Sequence, residues 1–177
     1  RTILHSLQNI GIITKSEITQ FQESIKTVAS NLIDDMYALQ LGELTNAKFM
    51  TRYGHLRPGT YDIMSHRYDQ MSDISKGAVL LDCKDKVKAF KFSKIQRQQV
   101  NTLLIDNGFG DFKSDDLLHY IQEAIIGREY GKFVFTRSVS NMLELIANFA
   151  EKNGLSRDEI SHVPLNSILN VVKSSSE

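Results

Sequence analysis

The residues best equipped for chemistry crowd one short stretch, "YGHLRPGTYDIMSHRYD", residues 53–69. Arg52, His55, Arg57, Tyr61, Asp62, His66, Arg67, Tyr68 and Asp69 stand around one of the chain's two prolines, at Pro58-Gly59. Proline fixes φ and glycine accepts a left-handed angle, so the pair predicts a tight turn. A turn that carries guanidinium and imidazole groups suits a loop shaped to meet a ligand or a neighbouring domain, as polar loops on rigid scaffolds often are. The same residues suit a loop pinned to its own scaffold by arginine–aspartate and tyrosine hydrogen bonds. Residue types and spacing leave both readings open.

A second pair of cations lies far along the sequence. On a helical wheel, Leu118, Ile121, Ile125, Val139, Leu143 and Ile146 share a narrow sector, and Arg128 and Lys132 fall inside it. Two charges on a core-facing stripe are costly unless paired. They pair with acidic groups of the central loop, bind an anion, or escape to water by a shift of phase or by snorkelling.

Other catalytic patterns are missing. Ser65-His66 and Ser161-His162 lack a Gly-rich turn or an orienting partner at local spacing, and Asp34-Asp35 and Asp115-Asp116 diverge by about 100° on helices. No phosphate-binding glycine loop, zinc-protease pair or nucleophile elbow occurs. The expectation is no catalytic residue and no metal ligand set. The chain's 21 basic and 21 acidic residues balance, which gives no global field for nucleic acid or an anionic membrane. The lone Cys83 excludes an internal disulfide and a cysteine-rich zinc site, in keeping with a cytoplasmic location. No apolar run reaches the roughly 20 residues that span a bilayer.

The elements that must position these residues are mainly α. A helix over 2–10 ends at Gly11, and Thr14 or Ser16 caps a longer one whose stripe runs from Ile18 to Leu39 and stops at Gly42. Thr45 caps "NAKFMTRY", and Ser93 opens a helix that ends at "NGFG". Ser114 caps the longest stretch, to Lys152, with a bend or break expected at Gly127 and Gly131. Ser156 and Glu159 have capping-box spacing, and Pro164 opens the last helix. Residues 54–92 have no helical period, and a short strand pair around 79–92 fits them. The expected architecture is a multi-helix bundle with a long polar loop, one domain over 1–177. Because the chain opens at Arg1 inside an apolar pattern, it reads as a piece cut from something longer.

"FMTRYGHLRPGTYDIMSHRYD", residues 49–69, resembles a motif of the phosphoenolpyruvate-utilising enzymes, the phosphoenolpyruvate synthase and pyruvate phosphate dikinase relatives that include rifampicin phosphotransferase. Phe49, Arg52, Tyr53, Gly54, His55, Pro58, Gly59, Asp62, Arg67 and Tyr68 match; Leu56 and Thr60 depart. Residues 128–163 are similar to the family's "REY-x-KF-x-x-x-R" helix and its following cap. The resemblance implies the helical middle region of an ATP-dependent phosphotransferase, acceptor-binding or interdomain in role. Its implied partners are an ATP-grasp domain and a phosphohistidine swivel domain of the same parent chain, with ATP and magnesium bound in that parent and an anionic small molecule as acceptor. On this reading Arg52, His55, Arg57 and Arg67 meet the anion, Tyr53 and Tyr61 pack or hydrogen-bond, Asp62 and Asp69 steady the arginines, and Arg128 and Lys132 close the site. The alternative is a helical interaction module that couples moving domains and has no ligand site.

Overall fold

A computed structural model describes residues 2–71 and 88–174. The chain is mainly α, a multi-helix fold, with no strand among the described residues. In order, the helices are α1 (Thr2–Asn9), α2 (Lys15–Ser24), α3 (Val28–Gln40), α4 (Asn46–Tyr53), α5 (Lys94–Asp106), α6 (Ser114–Lys152), α7 (Arg157–Ser161) and α8 (Leu165–Ser174). The expected strand pair around 79–92 falls largely outside the described residues; residues 88–92 belong to no helix or strand.

Local signals set most helix ends. Thr14, Ser93 and Ser156 each accept from the backbone N–H three residues on, and Glu17, Gln96 and Glu159 reach back to the cap, closing three capping boxes. Gly11, Gly42, Gly108 and Gly154 have φ near +75° to +80° just past helix ends, where a Cβ would be strained. Three expectations need correction. The stripe from Ile18 to Leu39 is two helices: at Ile25 the backbone turns extended, and reciprocal Thr27–Ser30 side-chain bonds start α3 anew. Ser114 is the first residue of α6, not its cap, and α6 runs unbroken for 39 residues through Gly127 and Gly131.

Contacts divide the chain into two compact units. The first comprises Arg1–Tyr37 and Leu80–Lys132. Its core is aliphatic and aromatic: Leu4, Ile13, Ile18, Phe21, Val100 and Ile121 are all buried. Phe21, Phe90 and Phe92 stack edge to face, and Gln96 bridges the Ile12 carbonyl and Glu17. The second unit comprises Ala38–Val79 and Phe133–Glu177. Its apolar cluster is smaller, built on Ile63, Ala147, Ala150, Ile160 and Ile168. Polar groups fill the space beside it.

Along the second half of α6 the buried positions are Thr136, Ser140, Glu144, Ala147 and Ala150, each three or four residues on from the last. Val139, Leu143 and Ile146 are only partly buried there. No helix among the described residues is long and apolar enough to cross a membrane.

Candidate functional site

The second unit brings most of the polar stretch together. Phe49 and Tyr53 lie on one face of α4, both buried, with rings 5.1 Å apart. Gly54 ends α4, and a Cβ there would come within 2.5 Å of the Met50 carbonyl oxygen. The chain then leaves α4 and returns beside its exit. Tyr68 N–H bonds the Leu56 carbonyl at 2.8 Å, and Asp69 N–H bonds the Gly54 carbonyl at 3.1 Å. Within the loop, Gly59 N–H donates to Ser65 Oγ at 3.0 Å. Gly59 has no positive φ, contrary to expectation; a Cβ there would press Asp62 and Ser65 Cβ atoms at 3.0 and 3.2 Å. Tight packing, not a left-handed angle, asks for glycine at this turn.

Arg57 lies inside the unit, 4% exposed. Its Nε donates to Ser140 Oγ at 3.2 Å. Nη1 donates to the carbonyls of Asp62 and Ser65, and Nη2 to the Ser140 carbonyl and to Glu144 Oε1 at 3.0 Å. A guanidinium has five N–H groups, and this set occupies them all. Glu144 also accepts from Arg157 at 2.9 and 3.2 Å and from Gln70 at 2.6 Å. Burial pushes the Glu144 carboxyl up, but the bonds from Arg157, Gln70 and Arg57 outweigh it and hold the group below the usual carboxylate range. Arg157 donates to the Ile63 carbonyl as well, so one carboxylate ties loop, α6 and α7 together.

His55 is 5% exposed, its ring edge-on to Phe133 with centroids 4.8 Å apart. One ring nitrogen donates to the Phe133 carbonyl, while Nε2 is buried without a hydrogen-bond partner. Burial, then the Arg137 and Arg67 guanidinium groups, push its pKa down to about 4 against the weaker opposing pull of that bond and of Asp69. Arg67 forks onto both Asp69 oxygens and also donates to Asn141. Asp69 thus steadies an arginine as expected, whereas Asp62 does so through its carbonyl, its carboxylate accepting from Met64 N–H.

The remaining predicted residues lie on the surface. Arg52 and Asp62 are exposed, and Tyr61 is 60% exposed. Arg128 and Lys132 do not lie on a buried stripe: both are exposed, and Arg128 pairs with the adjacent Glu129 at 2.7 Å. Both belong to the first unit, and the loop to the second. Missed from the sequence were Ser140, Glu144, Arg157 and Gln70. The available signal was an i, i+4 polar pair on a helix, which usually marks a solvated face.

Compared with known protein families, curated proteins and solved structures, the chain matches none.

Proposed function

We propose that this chain is an interdomain helical module whose 54–71 loop braces the fold, and that its parent is an ATP-dependent phosphotransferase of the phosphoenolpyruvate synthase type. One observation carries the choice of brace over pocket: every N–H of Arg57 is used within its own unit. An arginine so committed has no donor left for an acceptor's phosphate. What the loop offers outward is Tyr61, Asp62, Met64 and His66, all exposed, which suits a docking surface for a moving domain. The parent class is supported by the motif resemblance. The two similar stretches also meet: Tyr53 and His55 pack on Phe133, and Arg57 reaches Ser140 and Glu144.

On this reading ATP and magnesium bind the ATP-grasp domain, and phosphate travels on the swivel-domain histidine in a cytoplasmic enzyme. Any anionic acceptor binds away from Arg57. A helical interaction module outside any phosphotransferase is the second reading. It is favoured by exposed Val134, Phe135, Met142 and Leu145 on α6, at 47%, 58%, 52% and 68%.

Two measurements test the proposal separately. The natural full-length protein, incubated with labelled ATP and Mg²⁺, should acquire an acid-labile, alkali-stable phosphohistidine; no label overturns the phosphotransferase parentage. Inorganic phosphate titrated into this chain should leave the Arg57 guanidinium NMR signals in place; saturable shifts there overturn the brace.

A further inference from the structure

The buried imidazole of His55 has a place in the fold that the brace does not explain. Arg57, Glu144, Arg157 and Arg67 find partners, but His55 Nε2 is sealed from solvent with none. An unpartnered acceptor of this kind is tolerable only while it is neutral. The charged groups acting on it are Arg137 from α6 and Arg67 and Asp69 from the loop. Asp69 is already engaged by Arg67 at 2.6 and 3.0 Å, so two cations and one committed anion surround the ring. Arg137 also lies over the Phe133 ring, 5.8 Å from its centroid, on which His55 is seated.

We propose that His55 is an acid-operated latch for the 54–71 loop: a proton on Nε2 unseats the imidazole from Phe133 and frees the loop from α6. The added N–H would find no acceptor, and the added charge would face two guanidinium groups. Outward rotation hydrates both, at the cost of the Phe133 seat and its carbonyl bond. The direction follows from linkage. The released form takes up a proton near the ordinary histidine value of 6.5, and the latched form only near 4. Each pH unit lost between those limits therefore shifts the equilibrium about tenfold toward release. Glu144 acts later, because its carboxyl is held below the usual carboxylate range. The latch does not depend on which parent protein carries the chain.

The test follows two signals in this chain from pH 7 to pH 4. One is the His55 imidazole ¹³C shift, assigned through its contact with Phe133. The other is amide exchange over residues 54–71, corrected for intrinsic rates. The latch predicts that the imidazole stays neutral until the loop loses protection, and that the two changes coincide. His55→Gln, which cannot gain the charge, should keep the loop closed to about pH 4.5, where the parent chain has lost tenfold or more. Parallel loss of protection in both proteins would assign the opening to other groups and overturn the proposal. So would His55 protonation with the loop still protected. If His55→Gln does not fold, coincidence of the two signals in the unaltered chain decides the matter, and a separation of more than about one pH unit rejects the latch.

Discussion

The two units achieve burial with different materials. The first closes over leucine, isoleucine, valine and phenylalanine, with one glutamine bridging a carbonyl and a glutamate at its edge. The second has small residues, Ala147 and Ala150, where helices meet, and a carboxylate under two guanidinium groups where a larger apolar cluster could lie. An apolar core loses stability in proportion to what is cut away. A buried ionic network behaves asymmetrically: removing one partner leaves the other charged and unsatisfied. The second unit should therefore be the more sensitive to single substitutions and to acid.

The sharpest way to break that contrast is Glu144→Ala, which leaves Arg57 buried without its anion. We expect a loss of about 3–5 kcal/mol in the second unit, read as loop and α7 amide exchange, with the first unit's protection unchanged. A uniform loss through both units would sink the distinction. The counterpart is Leu4→Ala at a site 1% exposed. It should cost about 2–5 kcal/mol, and the cost should be the same at pH 7 and pH 5, since no titrating group is removed.

Acid alone should separate the units. His55 has a lowered folded pKa, about 4 against 6.5, so its contribution is complete above 6.5 and disappears as pH falls to about 4. That shift corresponds to about 3 kcal/mol at most, at about 1.4 kcal/mol per pH unit. Glu144 in the second unit and Glu17 in the first are both depressed, so their contributions fade only below the ordinary carboxylate range. Denaturant melts followed by probes in each unit should thus diverge between pH 6.5 and 4.5, the second unit weakening first; coincident melts would refute the assignment.

Smaller effects refine the picture. Gly59→Ala pushes a methyl against Asp62 and Ser65, and should cost about 1–3 kcal/mol through overpacking. Thermal melts would register it. Arg128→Ala and Lys132→Ala sit on the open face of α6 and should stay within about 0.5 kcal/mol. A larger loss from either would mean that α6 is covered there by a partner.

The helices were legible because their signals are local. Thr14, Ser93 and Ser156 cap within three residues of themselves, and glycine with positive φ punctuates within one turn. The crowd of polar residues at 52–69 was legible as a unit, and so was its uncertain role. The break at Ile25 was hidden because Ile18-to-Leu39 periodicity is the same for one helix or two in phase. Arg128 and Lys132 reach water, one of the outcomes left open above; they fell in the apolar sector only because one wheel was drawn for the whole of α6, whereas its buried positions change along its length.

Sequence by itself settled the class of the chain and most places where helices start and stop, since caps, turns and periodicity act between residues a few positions apart. It also marked Arg57 and His55 as residues that must meet something. Only tertiary structure decided what. Arg57 finds Ser140 and Glu144, 83 and 87 residues away, and His55 finds the Phe133 ring. Whether a charged side chain faces a ligand or its own fold depends on which distant groups displace water from around it, and no local spacing encodes that.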